Sequence, residues 1–262
     1  MRISTKSLAA VGVAVLLGAG AAATPAQAAF SPVPLDLRAL TLSATSQNVT
    51  TAVAPITVTV TFGPNPAGFT KPSVNAYFTQ APSSGDLAGS ADWAGAVADL
   101  TLTAGSASTT STWRGTFTPR PGAAGTYRFT VENPYFVPNG GQSLTADEVD
   151  AAVGPRVVTT SVTAPPAAPT NLKGSTRTTW SSSELGFVTS RTVTWKNPAG
   201  KALPSGVKVV SASANCGYMA AGYNPGAPVS SYWVGSKIGL CTVKFQTVNS
   251  AGASPTVSLT FL

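Results

Sequence analysis

Ile56-Thr57-Val58-Thr59-Val60-Thr61-Phe62 alternates an apolar side chain with threonine at every step. In a strand, successive side chains point to opposite faces, so Ile56, Val58, Val60 and Phe62 line one side and the three threonines the other. A helix would spread the same four residues around its axis and bury no coherent stripe. The stretch therefore reads as a half-buried strand, and its period recurs on the C-terminal side. Val74, Ala76 and Phe78 share a face, as do Leu100 and Leu102, then Trp113, Gly115 and Phe117, then Tyr127, Phe129 and Val131. Turn residues separate these runs: Gly63-Pro64-Asn65-Pro66, Pro82-Ser83-Ser84-Gly85 and Pro119-Arg120-Pro121-Gly122. With Leu40 and Leu42 before them and Val157 to Val162 after, about seven strands are expected, the count of a two-sheet sandwich.

Two segments of this region break the pattern. Ser90 to Ala98 is small and alanine-rich and reads as a short helical turn in a long connection. Thr145-Ala146-Asp147-Glu148 reads as a capping box ahead of a brief helix ending near Gly154, the Thr145 hydroxyl and the Glu148 carboxylate satisfying free backbone donors reciprocally.

A second half follows Ala164-Pro165-Pro166-Ala167-Ala168-Pro169, where three prolines in six residues predict an extended, semi-rigid spacer. Beyond it, Thr192 to Trp195 and Cys241 to Thr247 alternate strongly, as do Val257, Leu259 and Phe261. Pro169-Thr170-Asn171-Leu172, Val193-Thr194-Trp195-Lys196-Asn197-Pro198 and the run from Val243 to Ser254, with its Asn-x-x-Gly turn, resemble a fibronectin type III module. Where that family usually has its corner tyrosine this chain has Cys241, so a core disulfide to Cys216 is expected to take over the anchoring. The first half resembles immunoglobulin-like domains of actinobacterial secreted and surface proteins, through Trp113-Arg114-Gly115-Thr116-Phe117 and Gly125-Thr126-Tyr127-Arg128-Phe129-Thr130. The expected fold class is thus all-β, two tandem immunoglobulin-like β-sandwich domains: 1–28 a signal peptide, 29–163 the first sandwich, 164–169 the linker, 170–262 the second. Neither resemblance implies catalysis; such modules serve as spacers, adhesive units or accessory binders.

Arg2 and Lys6, an uncharged apolar stretch from Leu8 to Ala23, and the small-residue site Ala26-Gln27-Ala28 together predict the signal peptide. Glycines at 12, 18 and 20 and Pro25 make that stretch a poor membrane span, and no later stretch is long and apolar enough. The expected location is secreted or extracellular, free or wall-associated, without a transmembrane segment. In that compartment Cys216 and Cys241 read as one disulfide. Zinc would need further Cys or His ligands, and the chain has no histidine. From Ala29 to Thr163 six basic residues face eight acidic ones, whereas from Ala164 onward eight basic residues face Glu184 alone, a net of +7. That half should lean towards anionic wall or extracellular polymers, or another surface protein, with no specific nucleic-acid partner; a merely solubilising basic surface explains the same charge.

The absence of histidine removes Ser-His-Asp and Cys-His arrangements and the usual general base near neutral pH. No cofactor is expected and the chain reads as a non-enzyme. The alternative is a hydrolase in the first half that uses a carboxylate or calcium site. It requires a pocket holding at least two of Asp86, Asp92, Asp99, Asp147, Glu148 and Asp150. Asp147, Glu148 and Asp150 alone would offer calcium hard oxygen ligands, while the helix cap uses the same residues without a metal. The candidate ligand-binding residues are Tyr218, Tyr223, Tyr232 and Trp233, in a glycine- and proline-rich stretch between the cysteines, with Lys237 and Lys244 nearby in sequence. Planar rings on loops stack on sugars; the other reading packs Tyr232 and Trp233 onto the sheet and lays Tyr218 over the disulfide. Pro134 to Gly141 reads as an apolar loop tip, available for contact or tucked against the second half. A passive spacer or surface-assembly subunit is the third possibility.

Overall fold

The computed structural model describes residues 35–262 except 66, 67, 70, 81–95, 134–141, 184, 222–228 and 235–238. The signal segment and the loop from Pro134 to Gly141 lie outside the described residues. The first half holds β1 (Leu37–Leu42), β2 (Ser46–Asn48), β3 (Ile56–Phe62), β4 (Ser73–Gln80), β5 (Ala96–Asp99), β6 (Thr101–Ala104), β7 (Ser111–Phe117), β8 (Gly125–Asn133), β9 (Gln142–Leu144), α1 (Ala146–Val153) and β10 (Val158–Ser161). The second holds β11 (Thr170–Ser181), β12 (Gly186–Lys196), β13 (Gly206–Ala212), β14 (Met219–Ala221), β15 (Val229–Val234), β16 (Cys241–Asn249), β17 (Gly252–Ala253) and β18 (Val257–Phe261).

The alternating run at 56–62 is β3, and its burial follows the sequence, apolar residues in and threonines half out. It sits inside a sheet ordered β1-β3-β7-β6, facing a second ordered β2-β10-β8-β4-β5, with β9 also on β8. Leu40, Ile56, Val58, Val60 and Phe62 from the first sheet meet Val74, Phe78, Tyr127, Phe129 and Val131 from the other in one core. The chain leaves β1 in one sheet and enters the other as β2, which lies parallel to β10 among otherwise antiparallel pairs. α1 seals one margin by burying Val149, and its Thr145–Glu148 capping box is formed.

Three expectations need correction. Ala96–Asp99 is not a helical turn but β5, paired along β4, which supplies the hydrogen-bond partners its small side chains cannot replace by packing. Leu102 does not share the buried face of Leu100. It is exposed, because β5 ends at Asp99 and β6, on the other sheet, begins at Thr101 between the two leucines. Among the described residues ten strands stand where about seven were expected. Trp113 and Trp195 are half-buried and packed against their cores, donating their indole N–H groups to Ser111 Oγ and Asn197 Oδ1 respectively.

The second half has its own core between a sheet ordered β11-β12-β15-β14 and one formed by β13, β16, β17 and β18. Val193, Met219, Val243 and Phe245 fill it together with the Cys216–Cys241 disulfide, both of whose half-cystines are fully buried. β11 and β18 approach so closely that a Cβ on Gly174 would lie 2.1 Å from the Phe261 ring.

The described residues belong to one compact unit, and the halves abut through backbone. Leu203 N–H donates to Thr50 O at 2.6 Å, Ser250 N–H to Gly122 O at 3.0 Å, Ala124 N–H to Ser250 Oγ at 2.7 Å, and the Arg120 guanidinium to Ser205 O at 2.8 Å. The proline segment does not stand clear as a spacer. Pro166 and Pro169 are buried, and Ala164 O accepts from Asn249 Nδ2 at 2.8 Å.

Candidate functional site

Seven of the eight cations in the second half lie among the described residues, and they divide sharply. Arg191, on β12, is 1% exposed. Lys173 and Arg177 on β11, Lys196 at the end of β12, Lys201 in the following turn, Lys208 on β13 and Lys244 on β16 are all exposed. Strand alternation explains Lys208 and Lys244, which occupy the outward positions of strands whose inward positions hold Val207, Val209, Val243 and Phe245. In the first half, by contrast, three of the six cations are paired: Arg38 with Asp36, Lys71 with Asp99, and Arg128 with both Asp147 and Asp150. Among the described residues the six exposed cations of the second half form no ion pair.

The aromatic stretch between the cysteines is only partly what its composition implies. Tyr218 follows the turn that closes the disulfide, where Cys216 N–H donates to Ser213 O, and at 81% exposure it neither packs on the sheet nor covers the bridge. Tyr232 and Trp233 are not on a loop. They belong to β15, registered opposite Ser190 and Thr189 of β12. The segment therefore contains β14 and β15, because β12 offers β15 a hydrogen-bonding edge, and β15 in turn offers one to β14, that no local feature of a glycine-rich run reveals. Tyr223 and Lys237 lie outside the described residues, as do the side chains of Tyr232 and Trp233. The structure thus places Lys244 on a strand face and Tyr218 on a turn.

Sequence reading missed the long β11–β12 hairpin and its outer end. The run Ser175 to Ser183 is almost wholly polar, so it shows no apolar alternation. Trp180 and Phe187 face one another directly across the two strands, 61% and 56% exposed, with ring centroids 5.3 Å apart at 81°. Leu185 in the turn is 82% exposed. The available signal was the pair's near-symmetric placement about Ser181-Ser182-Ser183-Glu184-Leu185-Gly186.

In the first half the acids separate. The Glu148 carboxylate accepts from the Thr145 N–H at 2.7 Å and the Thr145 hydroxyl at 2.8 Å, and the backbone bond, then the hydroxyl, hold it below the usual glutamate range. Asp147 and Asp150 each take a 2.7 Å hydrogen bond from the Arg128 guanidinium, whose own pKa they raise, Asp150 more than Asp147. Asp99 lies elsewhere, on an open groove of about 630 Å³ lined by Val97, Arg114, Gly115 and a set of threonines including Thr57, Thr101 and Thr116. Of the acids proposed for a hydrolytic site, Asp99 alone is described as lining that groove, while Asp86 and Asp92 lie outside the described residues. Among the described residues no group of three His, Cys, Asp or Glu is placed to hold a metal ion.

The chain matches no family model and no curated protein sequence.

Proposed function

We propose that this is an exported, non-catalytic binding protein of two tandem immunoglobulin-like sandwiches, the second of fibronectin type III kind, that engages an anionic extracellular polymer or surface through its second half. The strand orders support the fold reading. β1-β3-β7-β6 against β2-β10-β8-β4-β5 has the ABED and CFG arrangement of immunoglobulin-like sandwiches, with an edge strand switching sheets. Tyr127, near the start of β8, accepts a 2.6 Å hydrogen bond at its phenolic oxygen from the Arg120 N–H, the bond that defines a tyrosine corner.

The observation that carries the binding reading is the set of six exposed, unneutralised cations at 173, 177, 196, 201, 208 and 244. Like charges held on a folded surface without counter-charges repel one another, and a polyanion relieves that repulsion while releasing its own counterions. Such binding is screened by salt. The test is retention of the purified exported chain on wall polymer or polyphosphate at low and high ionic strength. Retention that falls steeply with salt is expected, and further on changing Lys208 and Lys244 together to Gln; no retention at low salt overturns the reading.

A further inference from the structure

The tip of the β11–β12 hairpin is exposed beyond the buried Thr189 and Val188, the former paired with Trp233 of β15. Gly174 lies against Phe261 and the Thr176 hydroxyl touches Leu262 O, and these are the hairpin's contacts with the facing sheet nearest the tip among the described residues. Ser181 is five residues further on, about 16 Å of extended chain. By period two, Trp180 and Phe187 occupy the face that, nearer the core, carries Leu172 and Val193. Between those residues the face is polar, with Thr176 and Thr178 on β11 and the buried Arg191 and Thr189 on β12, so the exposed aromatic pair stands apart from the apolar core. Leu185 adds a third apolar side chain at φ +50°, a left-handed backbone in which glycine or asparagine is less costly than leucine.

We propose that this hairpin tip is a membrane-contact element that seats Trp180, Phe187 and Leu185 in the interfacial layer of an anionic phospholipid bilayer. The inference rests on the reading of the second half as a binder of anionic surfaces and names the surface. Three features favour a bilayer over other occupants. The rings meet edge to face, so they present no coplanar platform on which a sugar would stack, and Leu185 adds none. The area is too small for a protein interface: two aromatic side chains of roughly 150–250 Å² each and one leucine fall short of the ~800 Å² per partner that stable association needs. A bilayer surface, however, is engaged by a few Trp, Phe and Leu side chains with basic residues behind them. The charge is placed accordingly. Exposed Arg177 is three residues from Trp180, about 10 Å along the strand and so near the reach of an anionic headgroup layer.

The experiment uses the exported chain with sedimented vesicles of phosphatidylglycerol and phosphatidylcholine, vesicles of phosphatidylcholine alone, and soluble polyphosphate, all at one low salt concentration. Binding to the anionic vesicles is expected, with tryptophan emission quenched by brominated lipid. Trp180→Ser and Phe187→Ser should each weaken vesicle binding about tenfold while leaving polyphosphate retention unchanged. The quenching needs no variant and stands if a substituted chain fails to fold. Vesicle binding unaltered in both variants, absence of quenching, or a wild-type dimer that the variants dissolve overturns the tip assignment and leaves the polyanion reading intact. Failure to bind either vesicles or polyphosphate overturns the underlying reading instead.

Discussion

Gly122 is where the junction between the halves is most exposed to a single change. Its φ of +64° disfavours any side chain, and a Cβ there would lie 2.2 Å from Leu203 O and 3.0 Å from the carbonyl carbons of Leu203 and Pro204. All three obstacles are backbone, so no rotamer change relieves them. Gly122→Ala must push the segment Leu203–Pro204 away by roughly 1 Å, the difference between 2.2 Å and an ordinary carbon–oxygen contact. That displacement strains the cross-junction bonds Ser250 N–H to Gly122 O and Leu203 N–H to Thr50 O, and Ala124 N–H to Ser250 Oγ beside them. At about 1 kcal/mol net for each bond, losing two, with about 1 kcal/mol for the left-handed alanine, predicts a destabilisation of about 3 kcal/mol. Gly200→Ala is the control. Its φ of +67° imposes the same backbone penalty, but nothing lies within 4 Å of the added Cβ, so about 1 kcal/mol is expected. Urea unfolding of both variants measures the difference, and small-angle scattering measures whether the halves become mobile relative to each other. Equal destabilisation by the two substitutions, with unchanged scattering, would refute the claim that this junction is a packed interface.

Reducing the Cys216–Cys241 bridge, which closes a loop over a sequence separation of 25, should cost about 3 kcal/mol and lower the unfolding midpoint of the second half while sparing the first, as followed by calorimetry with and without reductant. Tyr127→Phe removes the acceptor for the Arg120 N–H and should destabilise by about 1–2 kcal/mol in urea titration, whereas a loss below the error of that titration would mean water takes its place. The Glu148 carboxyl is held below its ordinary value in the folded chain, so its contribution is complete above that value and fades as pH falls through the depressed one. Urea midpoints measured downward from about pH 6 should therefore fall less steeply in Glu148→Gln than in the wild type.

The alternation at 56–62 and 127–131 determined the β character and the buried face of the first core, because strand geometry converts period two directly into sidedness. The capping box at Thr145–Glu148 was equally legible, since both partners lie within one turn and need nothing distant. So was the bridge between the two cysteines in a chain without histidine. Tertiary structure alone decided the rest. β5, β14 and β15 are strands because neighbours present free backbone edges, and Ala96–Asp99 or Val229–Val234 carry no local pattern that demands it. The docking of the proline segment, the closeness of Gly122 to Leu203 and the exposed Trp180–Phe187 pair depend likewise on where distant backbone falls. A sequence records which way a side chain points from its own strand, but whether that direction meets another layer or open water depends on how far the opposite sheet extends.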